Sequence, residues 1–170
     1  MRSSRASGPS ELDRPETIEE TRELIRAAGG SGAVRVEDPD PDAVAELVAA
    51  VEREQGRLDV LVNDNFGGDR YMQWDKPLWE HDCQGGLRML QMGVHTHLIT
   101  ARAAIPLMLR TARAHGSGGL VVEMIDGTSQ ANAEFRRNVG SYCDLVKANV
   151  ERIVKASPPS SRTCPSRRSA

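Results

Sequence analysis

Aromatic side chains are scarce in this sequence: two Trp, two Tyr and two Phe among 170 residues, 4% in all. Apolar residues reach only 39%, at the low end for a chain that must bury a core, so the composition supports one domain at most. No apolar run approaches the ~20 residues that a membrane-spanning helix needs, and no membrane partner is expected. The opening MRSSRASGPS lacks the apolar stretch of a secretory signal. Its Arg and Ser content is that of a transit peptide, but the acidic run behind it argues against one. An excess of one charge is also missing. Lys and Arg number 22 against 24 Asp and Glu, a formal net charge of −2, which gives no electrostatic ground for a nucleic-acid partner. Three cysteines, Cys83, Cys143 and Cys164, form an odd and widely spaced set. They fit the reduced thiols of a cytoplasmic protein better than a disulfide framework.

What is present is an alternation of periodic segments. ETIEETRELIRAAGG reads as a helix that Thr17 can cap, with acidic residues in its first turn and Gly29-Gly30 ending it. AVRV, residues 33–36, reads as a short strand. PDPDAVAELVAAVEREQG reads as a second helix, with Asp42 expected as its cap, Val44, Leu47, Val48 and Val51 as its apolar stripe, and Gly56 as its terminator. LDVLVN, residues 58–63, is a strand with hardly any polar interruption, the pattern of a strand covered on both faces. The loop DNFGGDRYMQWDKPLWEHD carries both tryptophans. A long helix is expected from about Gly86 to His115, with Pro106 as its kink. GSGGLVVEMI supplies a turn and a third strand, and the segment from about Asn138 to Lys155 a final helix. Strands alternating with helices predict a parallel α/β sheet. The last stretch, ASPPSSRTCPSRRSA, loses all apolar periodicity and is expected to be disordered.

Three stretches together resemble the short-chain dehydrogenase/reductase family: GRLDVLVNDNFGG; GLRMLQMGVHTHLITARAAIPLM; and VVEMIDGT followed by YCDLVK. The resemblance runs from near Met1 to about Ala156. It implies a doubly wound Rossmann sheet that binds NAD or NADP and moves hydride to or from a small carbonyl or alcohol substrate. In that family the strand corresponding to LDVLVN ends in an Asn-Asn-Ala-Gly type turn beside the cofactor. Asn63, Gly67 and Gly68 are therefore the cofactor-binding candidates, since glycine lets backbone approach a flat ligand closely. A plain strand-to-helix turn is the alternative for these residues.

The family's catalytic pair is Tyr-x-x-x-Lys on one helix, a spacing that puts both side chains on one face. The lysine lowers the phenol's pKa and holds the nicotinamide ribose, and the phenol exchanges a proton with the substrate oxygen. Lys147 is present, and Cys143 stands where the resemblance places the tyrosine. Tyr142 is one residue early, ~100° round the helix, and only a locally wide turn would bring it back. The family's serine aligns with Asp126, with Thr128 and Ser129 nearby, and its asparagine with Gly93. The catalytic candidates are thus Lys147, Tyr142, Cys143, Ser129 and Asp126. A covalent role for Cys143 would need an adjacent base; a buried structural thiol is the competing reading.

The family's opening strand and its Thr-Gly-x-x-x-Gly-x-Gly turn, which seats the diphosphate on a helix N-terminus, have no counterpart here. Gly29, Gly30 and Gly32 follow a helix instead. Arg2, Ser3 and Arg5 resemble residues that receive an NADP 2′-phosphate, or are simply a solvated terminus. Residues 1–156 are accordingly expected to form a partial Rossmann-like domain that lacks the first two strands and the last, with 157–170 as a Pro/Ser/Arg-rich tail. The chain is expected to be truncated, through an incomplete or out-of-frame reading, and inactive. With the first two strands absent, AVRV has no neighbour unless it moves to LDVLVN. Unpaired strand edges favour association, so the second expectation is a non-catalytic Rossmann-like fragment that associates with a partner or with itself, as a homo-oligomer. His95 and His97, or His81 and Cys83, raise the question of a metal. Residues two apart on a helix do not face each other, so none is expected. Tyr71, Met72, Trp74 and Trp79 either line a substrate pocket or cover the sheet edge.

Overall fold

The computed structural model describes residues 17–32, 40–126 and 138–156. The AVRV segment, Thr128, Ser129, the basic residues near the N-terminus and the Pro/Ser/Arg-rich tail lie outside the described residues.

Helix α1, Ile18–Ala27, starts at a reciprocal cap. Thr17 accepts from the Glu20 backbone through its hydroxyl, and the Glu20 carboxylate returns the bond to Thr17 N at 2.8 Å, which satisfies two donors that every helix start leaves open. Helix α2, Pro41–Gln55, is capped by Asp40 and not by Asp42. One Asp40 oxygen accepts from Asp42 N at 2.8 Å and from Ala43 N at 3.1 Å. Pro41 then takes the first helical position, where its fixed φ is pre-set and its missing N–H costs nothing. Asp42 falls in the first turn, where its charge suits the helix dipole. Gly56, at φ 68°, ends the helix in the left-handed region that favours glycine.

Strands β1, Val60–Asn63, and β2, Leu120–Glu123, pair in parallel with Val60 opposite Leu120 and Asn63 opposite Glu123. Both strands therefore end at the same level. Between them the chain forms α3, Cys83–Leu90, a π-helical turn at Gln91–His95, and α4, Thr96–His115. Backbone torsions stay helical across both junctions, so this is one long helix with a wide turn inside it. It starts three residues earlier than the sequence suggests because Asp82 caps it, accepting from Gln84 N and Gly85 N. Helix α5 is Ser141–Ala156.

Helix α4 packs on β1, α5 on β2, α2 beside α4, and α3 against α5. The core between α3, α5 and the loop after β1 is built from buried Met89, Val139, Cys143 and Val146, with Phe66, Tyr71 and Met72 packed around them. The result is a small parallel sheet flanked by helices, the α/β class that the alternating pattern predicts. One expectation fails. LDVLVN reads as covered on both faces, yet Val60, Val62 and Leu120 are 50%, 55% and 56% exposed. Paired residues share a face, so these three lie on one side of the sheet, and the helices occupy the other.

Candidate functional site

Because both strands stop together, the segments that leave them, 64–66 and 124–126, run side by side. With His97 of α4 and the turn of α5 around Lys147 they enclose a cavity of about 90 Å³. This is where parallel α/β sheets place their ligands, beyond the carboxyl ends of the strands.

Lys147 reaches the cavity with its ammonium already engaged. Its Nζ donates to Asp126 Oδ1 at 2.9 Å and lies 4.1 Å from the centre of the Phe66 ring, close enough for cation–π attraction. Asp126 and Lys147, both catalytic candidates from the sequence, are thus brought together. Cys143 is not part of this wall. It lies one turn earlier on α5, 3% exposed, in the core with Met89 and Val146. Burial pushes its thiol above the usual range, and Lys147 only partly offsets that.

Tyr142 turns elsewhere. Its ring packs over Gly86, so closely that a Cβ there would come within 2.3 Å, and it lies beside His81 with ring centres 5.9 Å apart. A hydrogen bond with Cys83, then burial and the Cys83 and Asp82 charges, raise its phenol above its ordinary value. Helix α5 is regular, and the wide turn lies in the neighbouring helix at Gln91–His95. No irregularity rotates Tyr142 toward Lys147. Inside the wide turn Gly93 has no room for a side chain, because Val146 Cγ1 would sit 2.5 Å from a Cβ.

The three cofactor candidates, Asn63 at the end of β1 and Gly67 and Gly68 beyond it, do not line the cavity either. The Asn63 side chain is buried and donates from Nδ2 to Glu123 Oε1 at 2.9 Å. The spaces beside Gly67 and Gly68 are filled from within, by Met92 Cε and Met89 Cγ, each 2.7 Å from a notional Cβ. Trp79 is 85% exposed, while Tyr71 and Met72 pack on the core. None of the four loop residues lines the cavity.

Two residues outside the catalytic and cofactor candidates are bonded together beside the cavity. His97 Nε2 donates to the Asn65 carbonyl at 2.8 Å, and its Nδ1 meets Glu123 Oε2. Both side chains are almost fully buried, at 1% and 2%. The one sequence signal for this pair is the single carboxylate that ends the apolar run LVVE. His97 came up only as a metal candidate, but both its ring nitrogens are committed to oxygen.

No family sequence profile matches the chain, and no curated protein matches it by sequence. Solved structures do match. An NADH-dependent reductase, A1-R′, complexed with NAD superposes with a TM-score of 0.68 at 23% identity, over 84% of this chain and 56% of that one. A short chain dehydrogenase from Mycobacterium smegmatis gives 0.62 at 24% identity, over 82% and 54%. A metagenomic short-chain oxidoreductase in complex with NADP gives 0.62 at 19% identity, over 81% and 57%. The fold is that of the short-chain dehydrogenase/reductases. The chain spans about half the length of the solved structures it matches.

A nicotinamide dinucleotide is the group this fold implies in short-chain dehydrogenase/reductases. The described residues do not fit it. The cavity, about 90 Å³, is well below the roughly 300–1,000 Å³ of ligand pockets. The glycines after β1 are plugged by methionines, and Gly29, at φ 82°, follows α1 and not a strand. Lys147 spends its charge on Asp126 and Phe66. Among the described residues no helix is long and apolar enough to cross a membrane.

Proposed function

We propose that this chain belongs by descent to the NAD(P)-dependent short-chain oxidoreductases and does not carry out their hydride transfer. One observation carries the reading: at the position of the proton-exchanging phenol stands Cys143, buried in the core one turn from Lys147. A thiol is several ångströms shorter than a tyrosyl side chain, whereas catalytic geometry tolerates about 0.5 Å. It also faces hydrophobic side chains, with its ionisation opposed by burial. NAD or NADP would be the ancestral cofactor and a small carbonyl or alcohol the ancestral substrate, in a cytoplasmic setting. The test is fluorescence titration of the purified chain with NADH and NADPH, alongside a carbonyl-reduction assay. Flat titrations and no turnover are expected. Saturable reduction, free of contaminating reductases, would overturn the reading. Cys143→Tyr adds a second arm: turnover gained by that variant would locate the defect in the phenol alone.

A second reading, a non-catalytic Rossmann-like chain that acts by associating with itself, is favoured by the apolar side of the sheet. Val60, Val62 and Leu120 are exposed there together, as contiguous apolar surface at an interface would be. Sedimentation across a concentration series tests it, with Val62→Lys expected to shift the distribution toward monomer. A monomer at every concentration would remove this reading.

A further inference from the structure

The buried group that this function leaves unused is the set formed by Asn63, Glu123 and His97. We infer that these three side chains form a lock, closed by one shared proton, that positions the Asn65–Phe66 wall of the cavity. The inference holds whether or not the chain binds a nicotinamide cofactor.

The argument is a count of donors and acceptors. The Asn65 carbonyl can only accept, so His97 Nε2 carries a hydrogen and donates it across 2.8 Å. Glu123 Oε1 accepts from Asn63 Nδ2 at 2.9 Å. What remains is the contact between His97 Nδ1 and Glu123 Oε2. A neutral imidazole protonated at Nε2, set against an ionised carboxylate, would bring two lone pairs together. The contact is bonding only if one proton lies in it, held as imidazolium and carboxylate or as imidazole and carboxylic acid. Water cannot substitute for that proton, since the two side chains are 1% and 2% exposed, and a buried polar contact left unmade is costly.

The three residues sit on three elements. Asn63 ends β1, Glu123 ends β2, and His97 stands in the first turn of α4. The Asn65 carbonyl that His97 holds belongs to the cavity wall, next to the Phe66 ring that supports Lys147. Orientation of the imidazole by Glu123 therefore fixes the wall, and His97 and Glu123 are positioning residues. The other charged groups around the pair are Asp64 after β1, Asp126 after β2 and Lys147 on α5, all on the cavity, with His95 two residues back in the wide turn. Lys147 and Asp126 answer each other at 2.9 Å. The direction of the pH effect follows. Raising the pH removes the shared proton, opposes two acceptors and loosens residues 64–66. Lowering it does not take the proton away.

Glu123→Gln separates this lock from ordinary packing. The glutamine oxygen can still accept from Asn63, and its amide can donate to Nδ1 of a neutral His97 whose Nε2–H stays on Asn65. Every bond is kept, and nothing in the contact titrates. Amide hydrogen exchange on the full chain reads the result. In the native sequence, the Met124 amide, which donates to the Asn63 carbonyl at 2.9 Å beside the lock, is expected to lose protection by about tenfold or more from neutral to alkaline pH, beyond the intrinsic rise in exchange. Glu123→Gln is expected to keep neutral-pH protection and to abolish that extra loss. An identical pH response in both proteins would overturn the lock. Should the variant not fold, imidazole nitrogen NMR of the native chain decides. A strongly downfield proton coupled to His97 Nδ1 is expected, and a bare Nδ1 at neutral pH would end the proposal.

Discussion

The two faces of the β1–β2 sheet carry different residues and meet different surroundings. On the helix side, the side chains of Asn63 and Glu123 are buried beside His97, with Asn63 Nδ2 bonded to Glu123 Oε1 and Glu123 Oε2 to His97 Nδ1. On the opposite side, Val60, Val62 and Leu120 stay half exposed. A face that buries charge without pairing it loses several kcal/mol, whereas an exposed valine costs little by itself. The helix side therefore determines whether this chain folds, and the open side determines what it sticks to. Substitutions divided between the two faces should differ sharply in their effect.

The largest expected effect is on the sealed face. His97→Leu removes the partner of a carboxylate only 2% exposed and should lower stability by about 3–5 kcal/mol, measured by urea denaturation. Gly93→Ala comes next. Its new methyl would meet Val146 Cγ1 at 2.5 Å, and forcing α5 away from the wide turn should cost about 1–3 kcal/mol. A neutral outcome would mean that the helices separate freely there. Asp40→Ala, far from both faces, should cost about 1 kcal/mol through loss of the α2 cap. Asp42→Ala should cost less, which checks the choice of cap.

The sequence showed most of what is local. The Thr17 cap, the Gly56 stop and the strand within LDVLVN are set by neighbours within a few residues, and each appears in place. The relation between Cys143 and Lys147 is helical arithmetic, legible without coordinates. What escaped depends on approach between distant segments. The cap of α2 moved to Asp40 because Pro41 takes the first helical position, a competition between adjacent candidates that composition does not resolve. The expected cover on both faces of LDVLVN assumed neighbouring elements, which an apolar run cannot guarantee. Gly93 was visible only as an aligned position. That it exists to admit Val146, 53 residues away, follows from the packing of α5 on the long helix. The pairing of His97 with Glu123 likewise needs the first turn of α4 to meet the end of β2, which no spacing rule brings together.

The smallest effect sharpens the comparison most. Val62→Thr and Val146→Thr are the same change of shape and chemistry, a methyl exchanged for a hydroxyl, on opposite sides of the layer. At Val146, 1% exposed, the hydroxyl would be set among apolar side chains and should cost about 1–3 kcal/mol. At Val62, 55% exposed, water can solvate it, β-branching is kept for the strand, and stability should move by no more than about 0.5 kcal/mol. Denaturation at low protein concentration is the right measurement, because association through the open face would add a concentration-dependent term to the native state. A loss at Val62 as large as that at Val146, and growing with protein concentration, would show that the open face is covered in solution by another copy of the chain. A similar loss that is independent of concentration would place the cover within the chain itself.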